Sequence, residues 1–325
     1  MRLMTALACA VALALASFST GVFAQGAWPS KPIIFIVPYP PAGSADALAR
    51  IVAQELSKSL GQRVIVENRA GGGGTIGVAA VIKSPPDGYT LFLGTPGPIA
   101  VSPTLMPDLA YDPARDMAPV SKLATAPLLV AVPASSSIRS LQELIATARA
   151  KPGSLSFATA GNGTSYHLAG ELLKQMVDIS MTHVPYKGTA PATTDTLAGQ
   201  VSAGILDLTS ALPHVRSGKL RSIGITSGRR TDLAPDIATI AESGLPGFDV
   251  TTWFIMGAPA GVPRDIVTRL NAETVRALAI PEVRERILAT GNEPISSTPE
   301  ELAAFVRDEI ARWAKVIKAA GVKAG

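Results

Sequence analysis

A proline- and glycine-rich loop near the start of the chain has the residue types of an anion-binding site. It reads Pro38-Tyr39-Pro40-Pro41-Ala42-Gly43-Ser44-Ala45-Asp46 and lies between a short apolar run and a helical pattern. The first amides of a helix lack acceptors, and with the positive end of the helix dipole they bind anions. Ser44 and Asp46 could equally be mere helix caps, which is the usual role of serine and aspartate there. The sequence leaves both interpretations open.

A second loop, later in the chain, repeats this arrangement. It reads Thr159-Ala160-Gly161-Asn162-Gly163-Thr164-Ser165-Tyr166-His167, again between a predicted strand and a predicted helix. In open parallel sheets ligands bind at the carboxyl ends of the strands, where both loops must lie. Two helix starts can therefore converge on the two ends of one small anion, with the hydroxyls of Thr164 and Ser165 as further donors. The alternative is a pair of ordinary strand-to-helix turns.

Catalytic interpretations of these residues are weaker. Ser165 and His167 are two positions apart on one helical turn, so their side chains diverge, and the chain has no G-x-S-x-G sequence. His183 and His214 are isolated in sequence, and no histidine pair has the spacing of metal ligands. Lys187, after another predicted strand, could meet a carboxylate or lie in solvent. A secreted hydrolase using Ser165 and His167 stays the alternative to a binding protein.

A glycine run at residues 71–77 contains a formal G-x-G-x-x-G between a predicted strand and a predicted helix. The dinucleotide fingerprint expects an acidic residue roughly 20 positions further on, at the end of the next strand. That strand ends in Leu91-Phe92-Leu93-Gly94-Thr95, without an acid. The run therefore predicts a close-packed turn rather than a nucleotide site.

The elements that must position these loops alternate between strand and helix. Apolar runs predict strands at residues 33–37, 64–66, 89–93, 128–132, 155–158, 182–185, 201–206 and 221–226, and helical patterns begin near residues 45, 140, 164, 263, 281 and 299. Such alternation predicts parallel sheets covered on both faces. Because the chain enters a second sheet near Leu128 and must return, we expect a second crossing at residues 250–257, which makes a two-strand hinge.

The first 24 residues predict a secretory signal. Arg2 precedes a nearly unbroken apolar run, and Val22-Phe23-Ala24 fits the positions that signal peptidase reads, so we expect export and cleavage after Ala24. The single cysteine, Cys9, lies in the removed segment, which excludes thiol and disulfide chemistry. A lipid anchor at Cys9 is disfavoured because little apolar sequence precedes it.

Length and charge limit the remaining classes of protein. About 300 mature residues favour two lobes. The chain has 29 Lys and Arg against 25 Asp and Glu, and these are interspersed. A nucleic-acid site therefore has little support, while the small basic excess favours anionic solutes.

Sequence motifs along the whole chain carry a family resemblance. They are residues 38–43 with Asp46 and Ala49-Arg50, Val66-Glu67-Asn68-Arg69-Ala70-Gly71, Pro86-Asp87-Gly88-Tyr89-Thr90-Leu91, residues 158–163 with His167-Leu168-Ala169-Gly170, His183-Val184-Pro185-Tyr186-Lys187-Gly188, Gly199-Gln200-Val201, Gly244-Leu245-Pro246-Gly247-Phe248 and Ala258-Pro259-Ala260-Gly261. With these motifs the chain resembles the periplasmic receptors of tripartite tricarboxylate transporters, often called the Bug family.

The resemblance implies a type II periplasmic-binding-protein fold, in which two α/β lobes joined by a two-strand hinge close on a ligand. We expect lobe 1 to hold residues 25–125 and 246–325, and lobe 2 to hold residues 126–245. The implied ligand is a small carboxylate (a dicarboxylate, an aromatic or hydroxy acid, or an acidic amino acid) held largely by backbone amides, without a cofactor or a metal. The expected partner is a membrane transporter of the same type, and we expect a monomer.

On this chain the resemblance places the ligand between the two loops, with residues 94–96, Tyr186, Lys187 and Asp207 lining the cleft. The predicted ligand-binding residues are Tyr39, Pro41, Ala42, Gly43, Ser44, Asp46, Thr95, Pro96, Thr159, Ala160, Gly161, Asn162, Gly163, Thr164, Ser165, His167, Tyr186, Lys187 and Asp207. Ser202 stands where the family often has an acid, Asp207 is displaced from the usual acidic position, and Thr159-Ala160 replaces a serine pair.

Overall fold

A computed structural model describes residues 28–41 and 43–322 of the chain. The predicted signal segment, with Cys9, and Ala42 of the first loop lie outside the described residues. Residues 31–41 and 43–322 belong to one unit by their mutual contacts. Among the helices of the described ranges, none combines the length and the apolar character needed to cross a membrane.

The strands confirm the predicted alternation, with small shifts at most ends. They are β1 (Ile33–Val37), β2 (Val64–Asn68), β3 (Thr90–Gly94), β4 (Met117–Pro133), β5 (Ser156–Thr159), β6 (Thr182–Pro185), β7 (Ala203–Asp207), β8 (Leu220–Ile225), β9 (Thr251–Pro259) and β10 (Glu293–Pro294).

The helices include all of those predicted. They are α1 (Ser44–Leu60), α2 (Thr75–Ile82), α3 (Ser102–Leu105), α4 (Pro113–Asp116), α5 (Leu141–Ala150), α6 (Ser165–Val177), α7 (Thr189–Leu197), α8 (Leu208–Arg216), α9 (Arg264–Ala279), α10 (Pro281–Leu288) and α11 (Pro299–Ala320). A 3₁₀ turn at Gly72–Gly74 precedes α2, and a π-helical turn at Gly97–Val101 precedes α3.

Two groups of parallel strands are joined through two long antiparallel strands. β1 pairs in parallel with β2 and β3, and β5 pairs in parallel with β6 and β7. β4 and β9 pair antiparallel along most of their length, β9 continues onto β3, and the end of β4 continues onto β7 and β8. The strand order is β2-β1-β3-β9-β4-β7-β5-β6, with β8 and β10 also on β4. The predicted parallel pairing therefore holds for β1, β2 and β3 and for β5, β6 and β7, whereas the crossing strands β4 and β9 pair antiparallel with their neighbours.

Strand β4 begins well before the predicted residues 128–132. Its first part, residues 117–127, contains Pro119, Lys122 and Pro127, which hide the strand pattern. Bulges between Pro119 and Ser121 and between Lys122 and Ala124 accommodate this sequence, as prolines in strands require. The two-residue strand β10, which was not predicted, pairs with this same part of β4.

Local sequence signals account for the start of α11 and the end of α1. Thr298 and Glu301 form a capping box at the start of α11, with reciprocal hydrogen bonds of 3.1 and 2.8 Å. Gly61 ends α1 in the left-handed conformation that glycine adopts without strain. A buried apolar cluster runs from Phe92 in β3 through Trp253 in β9 to Phe157 in β5, so one core supports both groups of strands.

Candidate functional site

Both predicted loops lie at carboxyl ends of parallel strands. The first connects β1 to α1, and the second connects β5 to α6. The second loop also approaches the segment that follows β3: a Cβ atom placed on Gly163 would lie 3.5 Å from Leu105 and 3.6 Å from Val101. The second loop therefore faces the half of the molecule that carries the first loop, as a ligand cleft requires.

Tyr39, in the first loop, contacts Thr95, which follows β3. Their hydroxyl groups share a short hydrogen bond, and burial raises the pKa of Tyr39 against the opposing effect of that bond. A Cβ atom on Gly74 would lie 3.2 Å from the Tyr39 hydroxyl and 3.1 Å from Pro98. The glycine run is thus a close-packed turn, as predicted, and it packs directly behind Tyr39. Pro96, also predicted, is buried at the start of the following turn.

Neither Ser44 nor Asp46 is the N-cap residue of α1, and the anion site at this helix start stays a prediction. The N-cap residue is Gly43, with φ −84° and ψ 170°, which has no side chain to cap the helix. Ser44 is exposed, whereas Asp46 is only 4% exposed. The Asp46 carboxylate accepts hydrogen bonds of 2.9 Å from Arg50 and from Asn68. Asp46 therefore anchors the loop to β2, a role that the sequence did not reveal.

Asn68 completes this anchor. Its amide nitrogen donates to the carbonyl oxygen of Tyr39 at 3.0 Å as well as to Asp46, and its own oxygen accepts from Arg50 at 3.2 Å. These bonds hold the loop backbone from the side of β2. Of the other predicted residues, Pro41 is exposed at the loop surface beside Ala42, which is outside the described residues.

The second loop is held by hydrogen bonds from within lobe 2. Thr164 caps α6: its hydroxyl oxygen accepts from the His167 amide at 3.4 Å and donates to the Gly161 carbonyl at 2.7 Å. The Gly161 amide donates to the Thr159 hydroxyl oxygen at 3.3 Å, and the Gly163 amide donates to Nδ1 of His167 at 3.2 Å.

The helix start itself leaves donors available for a ligand. Within residues 28–41 and 43–322, the amides of Thr164 and Ser165 have no hydrogen-bond acceptor. These are the groups that an anion at the start of a helix contacts. Ala160 and Asn162 lie in the same loop, and Asn162 is exposed.

A pair of stacked histidines lies under the second loop. The rings of His167 and His183 are 3.8 Å apart between centroids and 9° from parallel, and Nε2 of His183 lies 2.6 Å from the Thr159 hydroxyl oxygen. His183 was predicted to be isolated, which is wrong in space: β6 pairs with β5, and His183 lies opposite Phe157 in the register. The parallel pairing of β5 with β6, if assumed from the sequence, would have placed His183 near the second loop.

Glu171 and Lys174 complete this cluster. Glu171 is 6% exposed, its carboxylate accepts two hydrogen bonds of 2.8 Å from Lys174, and it lies 3.7 Å from Nε2 of His167. Burial would raise the pKa of Glu171, but the hydrogen bonds from His167 and Lys174 outweigh that effect and lower it. The carboxylate is therefore ionised, and it favours a proton on Nε2 of His167, which leaves Nδ1 as the acceptor for the loop.

The histidine pair predicts acid-dependent stability. Burial, followed by the charges of His167 and Lys174, lowers the pKa of His183 to about 4, whereas an unfolded histidine titrates near 6.5. Between these values the unfolded chain binds the proton first, so the free energy of unfolding falls as the pH drops from about 6.5 to about 4. With allowance for partial exposure, the loss is roughly 1–2 kcal/mol. It is measured by urea unfolding of the wild type and His183→Gln, and equal pH slopes in both would contradict it.

The other predicted site residues are placed as follows. The Tyr186 hydroxyl donates to Asp195 at 2.7 Å, and burial followed by this bond raises the pKa of Tyr186 to about 12. Lys187 is exposed. The Asp207 carboxylate caps α8, accepting from the Ser210 amide at 2.6 Å and from the hydroxyls of Thr189 and Thr209.

Ser202 lies away from the cleft. It exchanges hydrogen bonds of 3.1 and 3.2 Å with Ser156, at the amino end of β5. Ser202 therefore lies at the end of the sheet opposite to the two loops, which follow the carboxyl ends of their strands. Thr159, by contrast, lies directly under the second loop and is fully buried.

The geometry does not support general-base catalysis by His167. Its Nδ1 accepts from the Gly163 amide and its Nε2 faces Glu171, so neither ring nitrogen is directed to Ser165. Within the described part of the chain, no group of three or more His, Cys, Asp or Glu side chains could hold a metal ion.

These features define a class of protein. Two α/β lobes, joined by the paired strands β4 and β9, form the type II periplasmic-binding-protein fold. The family described as tripartite tricarboxylate transporter family receptors matches residues 48–322, and the chain belongs to that family.

Individual relatives agree with this assignment. BugT of Bordetella pertussis is 41% identical over 297 residues, which is 91% of each chain. A protein of R. palustris solved with adipate is 37% identical, with a TM-score of 0.80 over 91% of this chain and 99% of its own. MatC from Rhodopseudomonas palustris, solved with bound malate, is 34% identical, with a TM-score of 0.76 over 89% of this chain and 100% of its own.

Proposed function

We propose that this chain is a periplasmic receptor that captures a small carboxylate between its lobes and delivers it to a membrane transporter of the tripartite tricarboxylate type. The observation that carries the proposal is the pair of helix starts at the ends of β1 and β5, of which the second has unpartnered amides at Thr164 and Ser165 within the described residues. Adipate and malate in two related structures support a carboxylate ligand. The chain then acts by binding alone, without a catalytic step or a cofactor.

The proposal includes the expected processing and organisation. The signal at residues 1–24 exports the chain, and the mature protein begins at Gln25. Residues 25–125 with 246–325 form lobe 1, and residues 126–245 form lobe 2. Both crossings between these ranges fall close to the paired strands β4 and β9.

The strength of such a site is adequate for a receptor. Hydrogen bonds to a charged group contribute about 1.5–3 kcal/mol each. Two or three of them approach the roughly 8 kcal/mol of a micromolar complex, before entropy costs. Backbone amides can therefore retain a dicarboxylate without an arginine in the site.

Ligand stabilisation tests the proposal. A ligand at 100 times its Kd stabilises the folded protein by about 2.7 kcal/mol. We expect adipate, malate or another mono- or dicarboxylate to raise the Tm of the purified mature chain, with the matching diamide as a neutral control. A panel of dicarboxylates, aromatic acids and hydroxy acids that leaves the Tm unchanged would refute the proposal, and turnover of activated esters lost in Ser165→Ala would favour the hydrolase.

Acidic amino acids are expected to bind more weakly than plain or hydroxy dicarboxylates. Both acids predicted for the site are occupied: Asp46 by Arg50 and Asn68, and Asp207 by its capping interactions at α8. An α-ammonium group would be desolvated without a carboxylate free of other hydrogen bonds, which is costly. We expect Kd for aspartate to exceed that for succinate by at least about tenfold, or 1.4 kcal/mol. Calorimetric titration of both measures this, and tighter binding of aspartate would contradict it.

A further inference from the structure

The stacked histidines support two amides of the second loop, His167 directly and His183 through the Thr159 hydroxyl. Nδ1 of His167 accepts from the Gly163 amide, and His183 holds the Thr159 hydroxyl, which in turn accepts from the Gly161 amide. Each histidine therefore fixes the orientation of one glycine amide of the loop. Thr164, whose hydroxyl donates to the Gly161 carbonyl, ties the same segment to the start of α6.

The pair is itself fixed by its surroundings. Glu171 and Lys174 lie on the same helix as His167 and determine which of its ring nitrogens accepts. On the other side, His183 stacks on Phe157, with 5.1 Å between ring centroids. Buried polar networks of this kind hold a single geometry when all their members are satisfied. Free amides can bind an anion without a buried imidazole. Anion binding alone therefore does not account for the buried histidines.

We propose that His167 and His183 are positioning residues of the binding loop. They hold the amides of Gly163 and Gly161 directed into lobe 2, so that the amides of Thr164 and Ser165, which follow Gly163, are directed towards the carboxylate. This inference rests on the proposed function for its effect on affinity. Its structural part, the attachment of each glycine amide to its own partner, is independent of any ligand.

Two pairs of variants test the assignment. In His167→Asn the side-chain oxygen can replace Nδ1 as acceptor, whereas His167→Phe keeps a stacked ring without an acceptor. Thr159→Val keeps the volume of Thr159 and removes the oxygen that the Gly161 amide uses. The readouts are hydrogen exchange of the two glycine amides by NMR in the ligand-free protein, and Kd for adipate and for malate by calorimetry.

The expected pattern is specific to each variant. His167→Phe accelerates exchange at Gly163 at least tenfold and weakens binding at least tenfold, while His167→Asn keeps both within about threefold of the wild type. Thr159→Val accelerates exchange at Gly161 and leaves Gly163 protected. A general loss of structure would instead change both amides in every variant, and circular dichroism would record it.

Other outcomes overturn the inference. Unchanged exchange at Gly163 in His167→Phe shows that the histidine does not hold the loop, whether or not a ligand binds. Faster exchange with unchanged Kd shows that loop position does not control affinity. If the wild type binds neither adipate nor malate, the proposed ligand class has failed for these two acids, and the exchange pattern alone decides the role of the histidines. If His167→Phe does not fold, the contrast between His167→Asn and Thr159→Val decides it.

Discussion

Replacing Glu309 with leucine is expected to cause a large loss of stability in this fold. The Glu309 carboxylate is 7% exposed, and one of its oxygens accepts hydrogen bonds of 2.8 Å from the indole nitrogens of both Trp253 and Trp313. Leucine would fill a similar volume and leave both donors buried without an acceptor. Each such group costs about 1–3 kcal/mol, so the free energy of unfolding should fall by roughly 2–6 kcal/mol.

A matched variant isolates the hydrogen bonds. In Glu309→Gln the amide oxygen can still accept from both indoles, so we expect a loss of about 1 kcal/mol or less. Urea unfolding measures the free energies, and differential scanning calorimetry should show Tm lower by roughly 10 °C for leucine. A leucine variant within about 1 kcal/mol of the wild type would contradict the prediction.

The hydrogen bonds of Glu309 also connect helix α11 to one of the two crossing strands. Trp253 lies on β9, one of the two crossing strands, and Glu309 and Trp313 lie on α11. Phe305, one turn earlier on α11, packs edge-on against Trp253 and lies under the ammonium group of Lys122, which belongs to the other crossing strand. Helix α11 is therefore attached to both strands that join the lobes, and it is well placed to limit how those strands bend.

Local sequence signals predicted the elements that position the site. The capping pair Thr298 and Glu301, the helix-ending Gly61 and the apolar runs all act over a few residues, so they can be recognised without the fold. They failed in β4, because Pro119 and Lys122 interrupt its pattern and only pairing with β9 makes those residues a strand. The crossing was predicted correctly and the length of the strand was not.

The sequence predicted where the two loops of the candidate site lie. It did not predict the side chains that hold those loops in place. A glycine-bearing turn before a helix indicates free amides, and that inference uses only neighbouring residues. The anchor of Asp46 requires Asn68 from β2, and the support of the second loop requires His183 from β6. Such contacts depend on which strands pair, and a single sequence does not specify this.

Replacing Gly161 with valine is expected to weaken carboxylate binding at least 100-fold. Gly161 has φ +136°, a conformation that a β-branched residue strongly disfavours, and a Cβ atom there would lie 3.2 Å from the Tyr186 carbonyl oxygen. Backbone strain of this kind costs about 1–3 kcal/mol and is relieved if the loop rearranges. Rearrangement would release Gly161 from Thr159 and Thr164 and displace the start of α6 from the ligand.

Gly153 provides the control for this experiment, because its valine variant introduces comparable strain away from the loop. Gly153 also has a positive φ, +77°, and a Cβ atom there would have no described neighbour within 4 Å. It precedes β5 at the end opposite to the second loop. We expect Gly153→Val to lower the Tm while Kd for adipate or malate stays within about threefold. Calorimetric titration of both variants, after circular dichroism confirms their fold, measures the difference. If Gly161→Val binds as the wild type does, the ligand is not held by the amides of this loop; if both variants lose binding equally, strain anywhere in lobe 2 suffices and the loop has no special role.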